Sequence, residues 1–193
     1  RAFKSGPWRD MHVSARGRLL VRLADVIAAN AERLGALETH DNGKLINEMG
    51  AQLRYIPEWY RYFGGLADKI EGAVLPIDKP GMFAFTRHEP LGVIAAIAPW
   101  NSPLMLLTWK LAPLLAAGNT AVIKPSEHSS ASTLAFVELF AEAGFPAGVV
   151  NTVIDLFKDT TLVITIGLFD LLGTVNQALK DQAWLGMAKE GYV

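Results

Sequence analysis

The sequence predicts an α/β protein built around a parallel β-sheet. Three apolar segments of strand length, residues 92–98, 120–125 and 148–153, alternate with two helical segments and are joined by short connections. This alternation is typical of parallel strands joined by helical crossovers. The first strand segment, "GVIAAIA", is apolar on both faces, which predicts a strand covered on both sides.

Two helices are predicted within this α/β region. The first begins at about Pro103, because proline suits the first turn of a helix, and it ends at the Gly-Asn pair at 118–119. The second covers residues 129–146 and is ended by Gly144. Their positions between the strand segments complete the predicted order strand, helix, strand, helix, strand.

Two amphipathic helices are predicted ahead of the sheet. The first covers residues 14–37, where apolar residues recur every three or four positions and Ser14 is the predicted N-cap. The second follows a break at residues 40–44, "HDNGK", and carries one apolar and aromatic stripe over 46–63. Such stripes usually belong to a core. Pro57 interrupts the stripe and is expected to kink or divide the helix.

A β-hairpin is predicted over residues 74–91. Pro80 and Gly81 form the expected turn, and the alternating segment 82–89 forms the expected second strand. Exposed strands of this kind can serve as an assembly edge.

Composition and charge exclude several classes of function. The 193 residues carry 18 basic and 19 acidic side chains, so nothing indicates nucleic acid or an acidic membrane surface as a partner. The sequence has no cysteine, which excludes disulfides, thiolate metal sites and cysteine-based covalent catalysis. The absence of a recognisable signal peptide predicts a cytoplasmic protein, and the start without Met suggests a fragment or a processed chain.

Polar side chains follow the first two strands of the predicted sheet. "APWNSP" ends the first strand and "IKPSE" ends the second, so Trp100, Asn101, Lys124 and Glu127 are expected at one edge. An Asn amide can donate hydrogen bonds to a developing oxyanion, and a Lys and a Glu can hold ribose hydroxyls. An alternative remains open: Lys124 and Glu127 form a solvated strand end, and Asn101 is a turn or helix-capping residue.

At this point the sequence resembles a known family. The run "TRHEPLGVIAAIAPWNSPLMLLTWKLAPLLAAGNTAVIKPSE", the later "EAGFPAGVVN" and the earlier "ETHDNGK" and "YFGGLADKIEG" closely resemble the aldehyde dehydrogenase superfamily. The resemblance implies a Rossmann-type cofactor domain, here incomplete, with an oligomerisation hairpin and a catalytic domain. It also implies oxidation of an aldehyde with NAD or NADP, through a cysteine thiohemiacetal and hydride transfer.

The resemblance also assigns roles to individual residues. Asn101 matches the side-chain oxyanion donor, and Lys124 and Glu127 match the residues that bind the adenosine ribose. A Glu at position 127 would repel a 2′-phosphate, which favours NAD over NADP. Segment 82–89 matches the strand through which the family forms homo-oligomers. The complete set of implied cofactor-binding residues is Ile97, Ala98, Pro99, Trp100, Lys124, Pro125, Ser126 and Glu127, with no metal ligand among them.

Parts that the family's reaction needs are not matched by this sequence. It has no cysteine to act as the nucleophile, and no segment after Asn151 matches the family's glutamate base. A Ser or Thr without an adjacent base is a poor substitute. The chain by itself is therefore expected to be inactive towards aldehydes and to bind a nicotinamide cofactor weakly at most. A non-catalytic nucleotide-binding or oligomerising module is the alternative.

The last forty positions are interpreted as a different unit. Residues 1–153 form the predicted partial cofactor domain, whereas residues 154–193, "IDLFKDTTLVITIGLFDLLG…", resemble permease subunits of polar amino-acid ABC transporters. We expect an apolar helical tail whose uncharged run, 160–169, is too short to span a bilayer. A chimera of two coding sequences explains this pattern, and a divergent helix–turn–helix that completes the α/β domain is the alternative. Membrane contact is expected only through this tail.

Overall fold

A computed structural model describes residues 1–153 of the chain. Five helices and five strands are assigned within this range: α1 (Val13–Ala29), α2 (Ala31–Asn42), α3 (Ile46–Leu66), β1 (Val74–Leu75), β2 (Ala84–Phe85), β3 (Val93–Ile97), α4 (Pro103–Ala116), β4 (Thr120–Lys124), α5 (Ala131–Glu142) and β5 (Val150–Thr152). The predicted apolar helical tail, residues 154–193, lies outside the described residues.

The first predicted helix is two helices. It divides at Asn30, whose side-chain amide donates to the carbonyl of Val26 at 2.9 Å, because an Asn side chain can satisfy the last carbonyls of a helix. The predicted N-cap at Ser14 is wrong, since α1 begins at Val13 and its capping residue is His12, two positions earlier. The break between helices was predicted to start at residue 40, but α2 continues to Asn42. The helix is capped by Gly43, which has the left-handed φ of 73° that glycine tolerates.

Helix α3 is continuous through Pro57. Of the two expected effects of this proline, a kink or a division, the division does not occur, since one helix runs from Ile46 to Leu66. The helix packs tightly on α1 at a pair of glycines: a Cβ added at Gly17 would lie only 2.5 Å from the carbonyl oxygen of Gly64. The two backbones can approach this closely only because neither position carries a side chain.

The parallel sheet predicted from the alternation of strands and helices is confirmed. Its order is β3-β4-β5, and both neighbouring pairs are parallel. Strand β4 is central and largely buried, but β3 lies at the edge of the described sheet. Val93 and Ile97 are 60% and 61% exposed, so the prediction that β3 is covered on both faces is wrong within residues 1–153.

The β-hairpin is also confirmed, although its strands are short. β1 and β2 pair antiparallel, with Val74 opposite Phe85. The hairpin presents apolar side chains to solvent: Met82 is 56%, Phe83 72% and Phe85 62% exposed. Among residues 1–153, no helix has both the length and the apolarity needed to cross a bilayer.

The N-terminal segment fixes the end of α4 against the starts of β3 and β4. Trp8 is buried, and its indole N–H donates to the carbonyl groups of Gly118 and Asn119, both at 3.1 Å. The Asn119 side-chain oxygen in turn accepts from the backbone N–H of Gly92 at 2.9 Å. These bonds satisfy polar groups that would otherwise be buried without partners.

Candidate functional site

The ends of β3 and β4 lie side by side. The parallel register places Ile97 opposite Lys124, and the backbone N–H of Ala98 donates to the carbonyl of Lys124 at 3.0 Å. The segments that follow the two strands therefore leave the sheet at the same edge. In open α/β sheets this is the edge at which ligands bind. The register brings the segment that carries Trp100 and Asn101 and the turn that carries Lys124 and Glu127 to the same end of the sheet.

Lys124 and Glu127 form a donor–acceptor pair at this edge. The Lys124 ammonium lies 3.2 Å from a carboxylate oxygen of Glu127, and the Glu127 side chain is 68% exposed. A hydrogen bond from its own backbone N–H, and then the Lys124 ammonium, lower the pKa of the Glu127 carboxyl. The carboxylate is therefore an acceptor throughout the neutral pH range.

The turn between these two residues is held from inside. Pro125 and Ser126 are both buried, and the Ser126 hydroxyl oxygen accepts from the backbone N–H of His128 at 3.2 Å. The side chains of Lys124 and Glu127 can therefore point outwards from a turn whose centre is packed.

An apolar surface adjoins the polar pair. Ile97 is 61% and Trp100 53% exposed, and Pro99 between them is exposed as well, whereas Ala98 is buried at 3%. Asn101 follows directly and is exposed just before α4 begins. This end of the sheet thus combines the amide of Asn101, the ammonium of Lys124, the carboxylate of Glu127 and exposed apolar side chains.

The sequence interpretation missed a group of residues behind this edge. Ser129 donates its hydroxyl hydrogen to the carbonyl of Trp100 at 3.2 Å, and the side-chain amide of Asn42 lies 3.5 Å from the same oxygen. Asp41 accepts hydrogen bonds from the backbone N–H groups of Ala131 at 2.7 Å and Ser132 at 3.4 Å, which caps α5.

One signal for these residues was present in the sequence. The segment "HDNGK" places an acid and an amide at the end of a helix, immediately before glycine. We interpreted it only as a break between helices. Its contacts with residues 100 and 131 depend on how α2 packs, and that packing is not visible in the local pattern.

A buried acid lies beneath the same region. Glu38 on α2 is fully buried, and burial raises the pKa of its carboxyl to about 7. The backbone N–H of Leu104 in the first turn of α4 and the charge of Lys44 oppose this rise, whereas the charge of Asp41 adds to it. Around neutral pH, Glu38 is a mixture of the neutral acid and the carboxylate.

A comparison with known proteins identifies the family to which this chain belongs. The family model described as the aldehyde dehydrogenase family matches residues 1–165 of this chain. The chain belongs to the aldehyde dehydrogenase family. The resemblance inferred from the motifs is thus confirmed at the level of the family. The match also extends beyond residue 153, where we predicted a boundary, and the permease-like interpretation of residues 154–193 stays a prediction.

Individual relatives are similar over the same part of the chain. A (Z)-2-((N-methylformamido)methylene)-5-hydroxybutyrolactone dehydrogenase of Acinetobacter baylyi is 53% identical over 153 residues, which is 79% of this chain and 31% of the relative. The human retinaldehyde dehydrogenase 3 is 49% identical over 79% of this chain and 30% of its own length.

A solved structure supports the fold. The NAD⁺ complex of an aldehyde dehydrogenase from Bacillus cereus is 42% identical, with a TM-score of 0.79 over 85% of this chain and 33% of that protein. The chain therefore spans about a third of the length of the family members that it matches.

Proposed function

We propose that this chain supplies the ribose-binding edge and the oxyanion donor of an NAD(P)-dependent aldehyde dehydrogenase. The observation that carries the proposal is the parallel register of β3 and β4, which places the segment with Asn101 beside the turn with Lys124 and Glu127. Family membership supports the assignment of this edge to a nicotinamide cofactor.

The residues at the edge fit a ribose with two neighbouring hydroxyl groups. The Lys124 ammonium can donate to one hydroxyl, and the Glu127 carboxylate, 3.2 Å from that ammonium, can accept from another. The exposed Ile97 and Trp100 side chains offer an apolar surface beside them. When bound, the nicotinamide cofactor supplies the hydride acceptor. The Asn101 amide would donate a hydrogen bond to the oxygen on which negative charge develops.

The cofactor is tested by NMR titration and calorimetry of the 193-residue chain with NAD and NADP. We expect binding weaker than micromolar, with NAD preferred because the Glu127 carboxylate repels a 2′-phosphate. Glu127→Gln should reduce that preference. The matched control is Glu142→Gln, which makes the same charge change at the far end of α5. Equal affinities for NAD and NADP in the wild-type chain would contradict the proposed role of Glu127.

We also propose that the isolated chain does not oxidise aldehydes. The sequence contains no cysteine, so it has no thiolate that could form a covalent intermediate with the substrate. Incubation of the chain with a panel of aldehydes and NAD, followed by the absorbance of NADH, should show no turnover. Sustained NADH production by the purified chain would refute this proposal.

The chimeric origin of residues 154–193 belongs to the same proposal. The genomic sequence across the codons for Gly148 to Leu156 is the direct test. If the dehydrogenase reading frame continues in the source genome to a cysteine codon, the permease-like segment is an artefact of assembly. An unbroken frame through the present tail supports a true fusion.

The hairpin is proposed to form a homo-oligomer. Met82, Phe83 and Phe85 are exposed apolar residues on and just before the short strand β2. Sedimentation velocity should show a dimer or larger assembly that Phe83→Lys dissociates. Tyr62→Lys is the matched control, since Tyr62 is a comparably exposed aromatic residue on α3, at 61%. A monomeric wild-type chain would contradict this part of the proposal.

A further inference from the structure

Ser129 connects the two strand-end turns of the candidate site. Its hydroxyl donates to the carbonyl of Trp100 at 3.2 Å, in the turn after β3. Its backbone N–H donates to the carbonyl of Ser126 at 3.2 Å, in the turn after β4. The residue itself is fully buried, so its hydroxyl is shielded from solvent on the donor side.

The bond to Trp100 acts on the peptide group that carries Asn101. The carbonyl of Trp100 and the backbone N–H of Asn101 belong to one planar unit, so a donor that fixes the carbonyl also fixes the orientation of that plane. This plane fixes the N–Cα bond of Asn101, which is the starting direction from which φ and the side-chain torsions place the amide. The side-chain amide of Asn42 lies 3.5 Å from the same carbonyl oxygen and reinforces the orientation from α2.

Ser129 is itself held by a neighbouring element. Two residues further on, the carboxylate of Asp41 accepts from the N–H of Ala131 at 2.7 Å and from the N–H of Ser132 at 3.4 Å. A negative charge is favourable at the N-terminus of a helix, so this contact fixes the start of α5 on the end of α2. Asp41 therefore limits the movement of the segment that carries Ser129.

We propose that Ser129, anchored through Asp41, is a positioning residue that orients the Trp100–Asn101 peptide and so aims the Asn101 amide. The inference rests on the proposed function, because only the oxyanion role of Asn101 gives this orientation a catalytic consequence. Preorganised donors stabilise a developing charge only when their geometry is fixed in advance. Ser129 also links the turn after β3, which carries Asn101, to the turn after β4, which carries Lys124 and Glu127, since it donates to one carbonyl in each.

The test compares two buried serines in the 193-residue chain. Ser129→Ala removes the hydroxyl but keeps the backbone N–H. Ser132→Ala is the matched control, because Ser132 is equally buried and its hydroxyl has no hydrogen-bond partner among residues 1–153. The measurements are the ¹³C resonance of the Trp100 carbonyl and the ¹⁵N resonance of Asn101, both of which respond to a hydrogen bond on that carbonyl.

We expect Ser129→Ala to shift both resonances and to leave the Ser126 carbonyl unchanged, whereas Ser132→Ala leaves all three in place. Asp41→Ala should disturb Trp100 and Asn101, and Asp41→Asn, which keeps an oxygen acceptor for the α5 N–H groups, should restore them. If Ser129→Ala does not fold, Asn42→Ala removes the second, partly buried donor and should shift Trp100 in the same direction.

NAD titration separates this inference from the proposed function. Loss of one hydrogen bond that holds the turn should weaken NAD binding by about 2- to 10-fold in Ser129→Ala and leave it unchanged in Ser132→Ala. If neither the wild-type chain nor any variant binds NAD, the proposed function fails. The ¹³C resonance of the Trp100 carbonyl then still decides whether Ser129 positions the Trp100–Asn101 peptide. Trp100 and Asn101 resonances of Ser129→Ala or Asn42→Ala that superimpose on those of the wild type would overturn the inference.

Discussion

Glu38→Gln should change the pH dependence of stability in a direction that the burial of this residue dictates. Glu38 is fully buried, and its pKa in the folded protein is about 7. Replacement by Gln keeps the length and shape of the side chain and removes the possibility of ionisation. The variant therefore isolates the free-energy cost of a buried carboxylate from that of a lost side chain.

The size of the effect follows from linkage. The ordinary pKa of this carboxyl is 4.5. Each unit by which the pKa differs between the folded and the unfolded state corresponds to about 1.4 kcal/mol of stability. Between these two pKa values the unfolded chain has released the proton and the folded protein retains it, so stability falls as pH rises. The total loss amounts to about 3 kcal/mol, most of it between pH 5 and pH 7, and no further loss from this group occurs above pH 8.

Urea unfolding at pH 5, 6, 7 and 8 measures this effect. The wild-type free energy of unfolding should fall relative to that of Glu38→Gln by about 2 to 3 kcal/mol between pH 5 and pH 8. Glu32→Gln is the matched control, since Glu32 is exposed on the same helix. Its pH profile should run parallel to that of the wild type. Parallel profiles for the wild type and Glu38→Gln would refute the interpretation that Glu38 is buried and retains its proton up to about pH 7.

Two further substitutions test the packing of the described residues. Gly17→Ala should destabilise the protein by about 1–3 kcal/mol in urea unfolding, because its Cβ would lie 2.5 Å from the Gly64 carbonyl oxygen. Gly65→Ala should be neutral or stabilising by up to about 1 kcal/mol, because within residues 1–153 its Cβ would meet no atom within 4 Å apart from its own helix backbone and chain neighbours. Equal effects of the two would contradict the close approach of α1 and α3. Trp8→Phe should cost about 1–3 kcal/mol, because two buried carbonyl groups after α4 lose their donor; an unchanged urea midpoint would show that water replaces the indole.

The main elements of the fold were predictable because their signals are local. Apolar runs of strand length, separated by helical segments and glycines, identified β3, β4 and β5 and their parallel arrangement. The boundaries were less predictable. The apolar periodicity of residues 14–37 continues through Asn30, and nothing in the pattern showed that the Asn30 side chain would bond back to Val26 and end the helix there.

The exposure of β3 shows a different limit of the sequence. A continuous apolar run on both faces predicted a covered strand, but the covering of a strand depends on which elements lie against it. Within residues 1–153 one face of β3 is covered, since Ala96 is buried, whereas the opposite face leaves Val93 and Ile97 exposed. At the candidate site this exposure is useful, since Ile97 contributes to the apolar surface beside Trp100.

The sequence by itself determined the family, the parallel sheet, the positions of Asn101, Lys124 and Glu127 at strand ends, and the absence of a cysteine nucleophile. These properties depend on residue type and on spacing over a few turns or strands. Only the tertiary structure brought Asp41 to Ala131, across 90 positions of sequence, and Ser129 to Trp100, across 29. It also decided that Glu38 is buried. The Asp41 contact depends on the packing of α2 against α5, and the Ser129 contact depends on the pairing of β3 with β4. Residues distant in sequence become neighbours only when these elements have docked.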